Sequence, residues 1–269
     1  MIKTPARTGE DGVSAGPGRG ALIVNADDWG RDGETTDRTL DCVLASALSS
    51  VSAMVFMQDS ERAAELALKH GIAAGLHINL TTEFSGSGVS SELVKYQERL
   101  ASFLRGSRFS RMIFHPGLKR SFEYVVNAQR EEFARLYGAE PGRVDGHHHM
   151  HLCTNVLMGD LLPHGVLVRR NFSFQPGEKS SWNRAYRQAV DRILAKRYVL
   201  TDYFFSLPPM DPRERIQNIF LLAKDSTVEV ETHPVNREEH KFLAGGEIFR
   251  WTEGVPVVQG FGLTAALQH

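Results

Sequence analysis

The feature that most constrains the fold is a recurring unit: a short apolar run, a polar loop, then a helix. Ala21-Leu22-Ile23-Val24 is continuously apolar, which suits a central buried parallel strand better than an edge strand with one wet face. It runs into Asn25-Ala26-Asp27-Asp28-Trp29-Gly30. Leu40, Val43, Leu44, Ala47 and Leu48 then recur at helical spacing and predict a helix over residues 35–48. The pattern repeats with a strand at 51–57, a helix at 60–70 closed by Gly71, and a third strand at 72–80. Strands alternating with helices imply a parallel sheet, closed or open. At 269 residues the chain has the size of one α/β barrel or one large doubly wound domain.

The remainder continues the pattern. Residues 81–112 are polar and rich in Gly and Ser, with a helix near 91–104, and read as an excursion over the site. A long helix at 121–137 is followed by strands at 143–145 and 166–168, a helix at 185–194, a strand at 198–205 and a helix at 212–222. A last strand, Val228-Glu229-Val230-Glu231-Thr232, ends in His233-Pro234. Residues 1–20 hold five glycines and almost no large apolar groups, so they are expected to be a disordered leader. Residues 21–269 are expected to form a single domain.

Thirty-one basic residues against 32 acidic ones leave a net charge of -1, without the positive bias that nucleic-acid binding needs. No apolar run approaches the roughly 20 residues of a membrane span. Two cysteines, Cys42 and Cys153, make no disulfide framework, and with no signal peptide at the start the expected location is cytoplasmic. A homo-oligomer is left open.

Four of the eleven histidines lie within Val144-Asp145-Gly146-His147-His148-His149-Met150-His151-Leu152. In an extended segment His147, His149 and His151 share one face; in a helix His147 pairs with His151. Packed imidazoles after an aspartate point to a metal site. The other strand ends offer Asp27 and Asp28, His77 and His233. In parallel sheets functional groups collect at these carboxyl ends. One carboxylate and two imidazoles from three strands, with open coordination positions, make a catalytic metal site rather than a structural one. Adjacent Asp27 and Asp28 cannot face the same way on a regular strand, so one would ligate and the other accept a proton. Taken alone, the pair could equally cap the following helix.

The blocks Asn25-Ala26-Asp27-Asp28-Trp29-Gly30, Gly75-Leu76-His77-Ile78-Asn79-Leu80-Thr81 and Asp145-Gly146-His147-His148-His149-Met150-His151 resemble the three signature blocks of the YdjC/ChbG-like carbohydrate deacetylases. The resemblance implies a distorted (β/α) TIM-like barrel of the polysaccharide-deacetylase type and removal of N-acetyl groups from amino sugars such as chitooligosaccharides. It further implies one divalent metal on Asp28, His77 and His147, Asp27 as general base and His233 as general acid. The metal expected from the family is magnesium, with zinc, manganese or cobalt equally suited to an Asp/His₂ set. Trp29 stands where the family usually has Phe, and Gly146 where Ser is common, so the wall beside the metal is expected to be larger on one side and looser on the other.

His148, His149 and His151 cannot all be ligands of one open site. They are expected to hydrogen-bond around it, with Asp145 holding a ligand histidine. Arg169 and Arg170 leave a strand end, and Arg170 is taken as a substrate contact against the alternative of a solvated terminus. Trp29, ahead of Phe172, Phe174 and Trp182, is the candidate flat face for a pyranose ring. The alternatives to a deacetylase are a hydrolase of another amide or of a phosphoester, the latter often needing a second metal, and a non-catalytic sugar- or metal-binding protein.

Overall fold

The computed structural model describes residues 20–107, 109–174, 181–252 and 254–260. The expected leader therefore lies, except for Gly20, outside the described residues. Seven strands form one parallel sheet: β1 (Ala21–Trp29), β2 (Ser50–Ala53), β3 (Ala74–Ile78), β4 (Arg143–Gly146), β5 (Leu167–Val168), β6 (Tyr203–Ser206) and β7 (Thr227–Thr232). The order is β5-β4-β3-β2-β1-β7-β6. The two edges meet through short contacts. Val168 N–H donates to Val199 O at 2.9 Å, Val199 N–H to Val166 O at 3.0 Å, and Ser173 N–H to Phe204 O at 2.7 Å. The strands thus follow chain order around a distorted, incompletely closed barrel.

β1 is central, as its apolar start requires, and all nine of its residues are buried. The helices between strands pack outside the sheet through their apolar stripes. Gly71 (φ 63°) ends Ser60–His70, and Gly138 (φ 76°) ends Lys119–Tyr137, each in the left-handed conformation that glycine adopts without penalty. β2 stops at Ala53, short of the expected 57, because the chain turns through a left-handed Phe56 (φ 61°). The excursion between β3 and β4 contains the helix Ser91–Gly106, capped by the Ser90 hydroxyl, which accepts from Leu93 N–H at 3.2 Å. Among the described residues no helix is long and apolar enough to cross a membrane.

The barrel interior is charged. Arg143 and Asp145 alternate along β4, Glu229 and Glu231 along β7, and all four are buried. Arg143 Nη2 donates to Asp145 Oδ2 at 3.0 Å and to Glu229 Oε1 at 2.6 Å, and Arg169 Nε reaches the same Glu229 oxygen at 2.6 Å. Val228 and Val230 occupy the opposite, equally buried face.

Candidate metal centre

β1 delivers two carboxylates to one place by ceasing to be regular. Its pairing with β2 slips between Ala26 and Trp29, and Asp28 adopts a left-handed backbone (φ 64°). Such a conformation costs a non-glycine residue of order 1–3 kcal/mol. Here it cancels the alternation that would separate Asp27 from Asp28. His77 Nε2 lies 3.4 Å from Asp28 Oδ1 and 3.9 Å from Asp27 Oδ2. The helix cap that follows is Asp32, whose carboxylate accepts from Thr35 N–H at 2.8 Å, so the Asp27-Asp28 pair is not needed for capping.

Asp28, His77 and His147 bring three donor atoms within 4.8 Å of one another, all buried. The set fits a divalent cation. Asp28 Oδ1 is buried without a well-aligned hydrogen bond, although His147 Nδ1 stands 2.9 Å away. Its other oxygen accepts from Arg31 Nη1 at 2.8 Å. His77 Nδ1–H donates to Asp145 Oδ1 at 2.7 Å, which leaves the Nε2 lone pair on the Asp28 side. Burial opposes a charge on this imidazole, but Asp27, Asp145 and Asp28 outweigh it and raise its pKa to about 10. A cation would compete with that proton. Burial also opposes ionisation of Asp28, yet the two imidazoles hold it far below the ordinary carboxylate range.

Asp27 is held differently. Arg169 Nη1 donates to its Oδ2 at 2.6 Å and Nη2 to its Oδ1 at 2.7 Å, while Asn25 Nδ2 adds a third bond at 2.9 Å. Against burial, Arg169 lowers its pKa and keeps it a carboxylate. Asp27, His77 and Asp145 form a second close group, but arginines already engage both of its carboxylates. It therefore offers no free donor set for a second ion. His233 follows Thr232, whose pairing with Ala26 is the last of the β1–β7 ladder, so it leaves the carboxyl end of the strand next to β1. Its backbone N–H donates to the buried Glu239 carboxylate at 2.8 Å, and its carbonyl accepts from Asn236 N–H at 2.8 Å.

The histidine run is neither extended nor helical throughout. It is a tight 3₁₀-like turn, His147–Leu152, in which His148 (φ 54°) and His149 (φ 56°) are left-handed. The four rings consequently part ways. His147 joins Asp28, and His148 Nδ1 pairs with Thr81 Oγ1 at 2.9 Å. His149 packs edge-on to Phe172 with Nε2 3.7 Å from Glu231 Oε2. His151 Nε2 bonds Arg169 O at 2.9 Å, and burial pushes its pKa down to about 4. Burial and the Asp27 charge raise the Glu231 carboxyl well above its ordinary range.

Three expectations need correction. Trp29 is fully buried, with Nε1–H donating to Ala63 O at 3.2 Å, so its ring offers no face to a sugar. Gly146 does not loosen the wall: a Cβ there would come within 3.0 Å of His151 Cβ and N. Arg169, set aside in favour of its neighbour, is the arginine inside the site, whereas Arg170 turns away to Asp191, with Nη2 2.9 Å from Oδ2, at the edge of an adjoining cleft. Phe172 lines that cleft and Phe174 a smaller cavity that shares Arg170 and Phe172 with it; the side chain of Trp182 lies outside the described residues. Arg143, Glu229 and Glu231 were the residues missed. Their signal was charge at alternate positions on strands whose other face is apolar.

A family model described as YdjC-like protein matches residues 21–249. The chain is 29% identical over 255 residues to a carbohydrate deacetylase of Mus musculus, covering 91% of this chain and 76% of that protein. It is 26% identical over 251 residues to a chitooligosaccharide deacetylase of Proteus mirabilis, covering 86% and 88%. A carbohydrate deacetylase of Danio rerio is 35% identical over 139 residues, half of this chain, and the match spans only 43% of that relative's length. Among solved structures, an Enterococcus faecalis V583 protein with a suggested role in cellobiose-phosphate cleavage superimposes with a TM-score of 0.62 at 17% identity, covering 90% of this chain and 97% of that one.

Proposed function

The chain belongs to the YdjC-like protein family, and from that premise we propose that it is a metal-dependent hydrolase removing the N-acetyl group from an acetylated amino sugar. The observation that carries the reading is the juxtaposition of two differently held carboxylates: Asp28 beside two imidazoles, and Asp27 clamped by Arg169.

Asp28, His77 and His147 would hold one divalent ion, magnesium on family grounds, with zinc, manganese or cobalt as substitutes. When bound, such an ion supplies Lewis acidity for the acetyl carbonyl and lowers the pKa of water from about 16 toward ~7 in the best zinc sites. Asp27, ionised and unable to rotate, accepts the proton of the attacking water. His233, from the carboxyl end of the neighbouring strand, protonates the departing amine. Each such transfer typically contributes 10²- to 10⁴-fold. Asp145 fixes the His77 tautomer, and His151 holds the backbone of Arg169. The names of the mouse and Proteus relatives support a sugar substrate. Among the described residues, the second close group has both carboxylates engaged by arginines, which weighs against a two-metal phosphoesterase.

The test is acetate and free-amine release from N-acetylglucosamine-containing mono- and oligosaccharides, comparing the wild-type protein with Asp27→Asn. Release that falls by at least about 10²-fold in a folded, metal-binding variant supports the reading. Equal release by both, or none from any sugar with any of the four metals, contradicts it.

A further inference from the structure

The excursion between β3 and β4 presents a surface that the deacetylase reading leaves unused. From Arg99 to Phe122 the sequence holds six lysines and arginines and no aspartate or glutamate, in a chain whose net charge is -1. Within this stretch Phe109, Met112, Ile113 and Phe114 are 52%, 46%, 54% and 37% exposed. Scattered exposed apolar residues are ordinary, whereas a contiguous group rimmed by polar ones marks an interaction site. The group also borders the candidate site: Arg111 and Met112 line, with His149, a cleft of about 710 Å³, and His149 Nε2 lies 3.7 Å from Glu231 Oε2.

Cations flank the apolar group on both sides. Arg105 closes the helix Ser91–Gly106 before it, Arg111 sits within it, and Lys119 and Arg120 open the helix Lys119–Tyr137 after it, all four exposed. Arg99 lines a shallow groove with Glu98, Phe103, His115 and Leu118, so it lies beside the far end of the same stretch. Among the described residues Lys119 pairs with Glu123 at 3.7 Å, while Arg99, Arg105, Arg111 and Arg120 have no ion-pair partner. Lys119 and Arg120 also stand in the first turn of their helix, where the dipole disfavours cations. They are poorly placed for the helix itself and well placed for an anion outside it.

Charge selects what covers this surface. A second copy meeting it across a two-fold axis would set arginines against the same arginines. A soluble polyanion would engage the cations and leave Ile113 and Phe114 in water. An anionic bilayer meets both: its headgroups take the guanidinium and ammonium groups, and the apolar side chains enter the boundary with the acyl chains. We propose that Met112, Ile113 and Phe114, with Arg105, Arg111, Lys119 and Arg120 around them, dock the protein reversibly on an anionic phospholipid surface, with the cleft opening beside the contact. Such docking goes beyond the deacetylase reading and does not depend on it.

Co-sedimentation of the full chain with vesicles reads the contact. Vesicles of phosphatidylcholine alone are compared with vesicles of equal parts phosphatidylcholine and phosphatidylglycerol. The anionic vesicles should bind at least about tenfold more tightly, and the difference should shrink as salt rises. Ile113→Ser combined with Phe114→Ser, and Arg105→Gln combined with Arg120→Gln, should each weaken binding by about tenfold or more while unfolding at the wild-type temperature. Equal binding to both vesicles, or binding to neither, by the wild-type protein overturns the proposal whatever the variants do. Wild-type binding by the folded Ile113→Ser, Phe114→Ser variant also overturns it, because a polyanionic surface without insertion would then suffice. Dimerisation in light scattering that the same variant abolishes, without vesicle binding, would assign the surface to a second copy instead.

Discussion

Arg169 grips Asp27 through two parallel N–H···O bonds of 2.6 and 2.7 Å, deep inside the barrel where neither group meets solvent. One guanidinium also reaches Glu229, Asp145 and Glu231. It therefore both orients the carboxylate proposed as the base and neutralises a cluster of acids that could not otherwise be buried.

Arg169→Lys keeps the charge and loses the fork. The expected outcome is a folded protein whose kcat falls about 10²-fold with little change in KM, measured by acetate release. Arg169→Ala should instead lower unfolding stability by about 3–5 kcal/mol, because several buried carboxylates lose their partner. A Lys variant with wild-type kcat would show that the bidentate geometry is dispensable.

The Asp145 carboxylate fixes His77 by accepting from Nδ1 at 2.7 Å. Asp145→Asn should weaken metal binding about 10- to 100-fold, the usual effect of losing a group that orients a ligand histidine. Titration calorimetry of the metal-stripped variant provides the comparison, and an unchanged Kd would remove Asp145 from this role.

Occupation of the metal site should also stabilise the fold, since a ligand that binds only the native state adds about 2.7 kcal/mol at a hundredfold excess over Kd. A chelator is expected to lower the Tm of the wild-type protein. In His77→Ala, metal and chelator should give the same Tm.

Glu239 links pH to stability. Burial first, aided by the Asp27 charge and only partly opposed by the His233 N–H, raises its pKa from 4.5 to about 7. Since the folded value exceeds the unfolded one, the group contributes stability that is fully present below about 4.5 and lost as pH rises through about 7. Glu239→Gln removes this loss. On passing from pH 5 to pH 8 the variant should gain on wild type by at most about 3 kcal/mol, at 1.36 kcal/mol per pKa unit. Urea unfolding at the two pH values measures it, and a constant difference would contradict the assignment.

Much of this arrangement was legible because strand ends in a parallel sheet announce themselves. The apolar run before Asn25 marked β1 as central, and the periods of the helices Ser60–His70 and Lys119–Tyr137 were clear. The site was legible as residue types but not as geometry. No periodicity predicts that Asp28 and His149 are left-handed, since that strain is sustained by tertiary packing. The charged barrel interior was hidden for a related reason. Glu229 and Glu231 alternate with valines, which ordinarily reads as acids outward, and only sheet curvature turns them inward against Arg143 and Arg169. Trp29 misled because a strand end beside a site was taken as exposed, whereas the slipped pairing with Ala53 buries it.

The most direct test of the central claim is acetate release by metal-stripped protein as metal is added back in measured equivalents, with His147→Ala as the companion. Activity should rise linearly and break at one ion per chain, with no recovery in the variant at the same metal concentration. Full activity in the stripped protein, a break at two ions, or recovery in His147→Ala at one equivalent would contradict it.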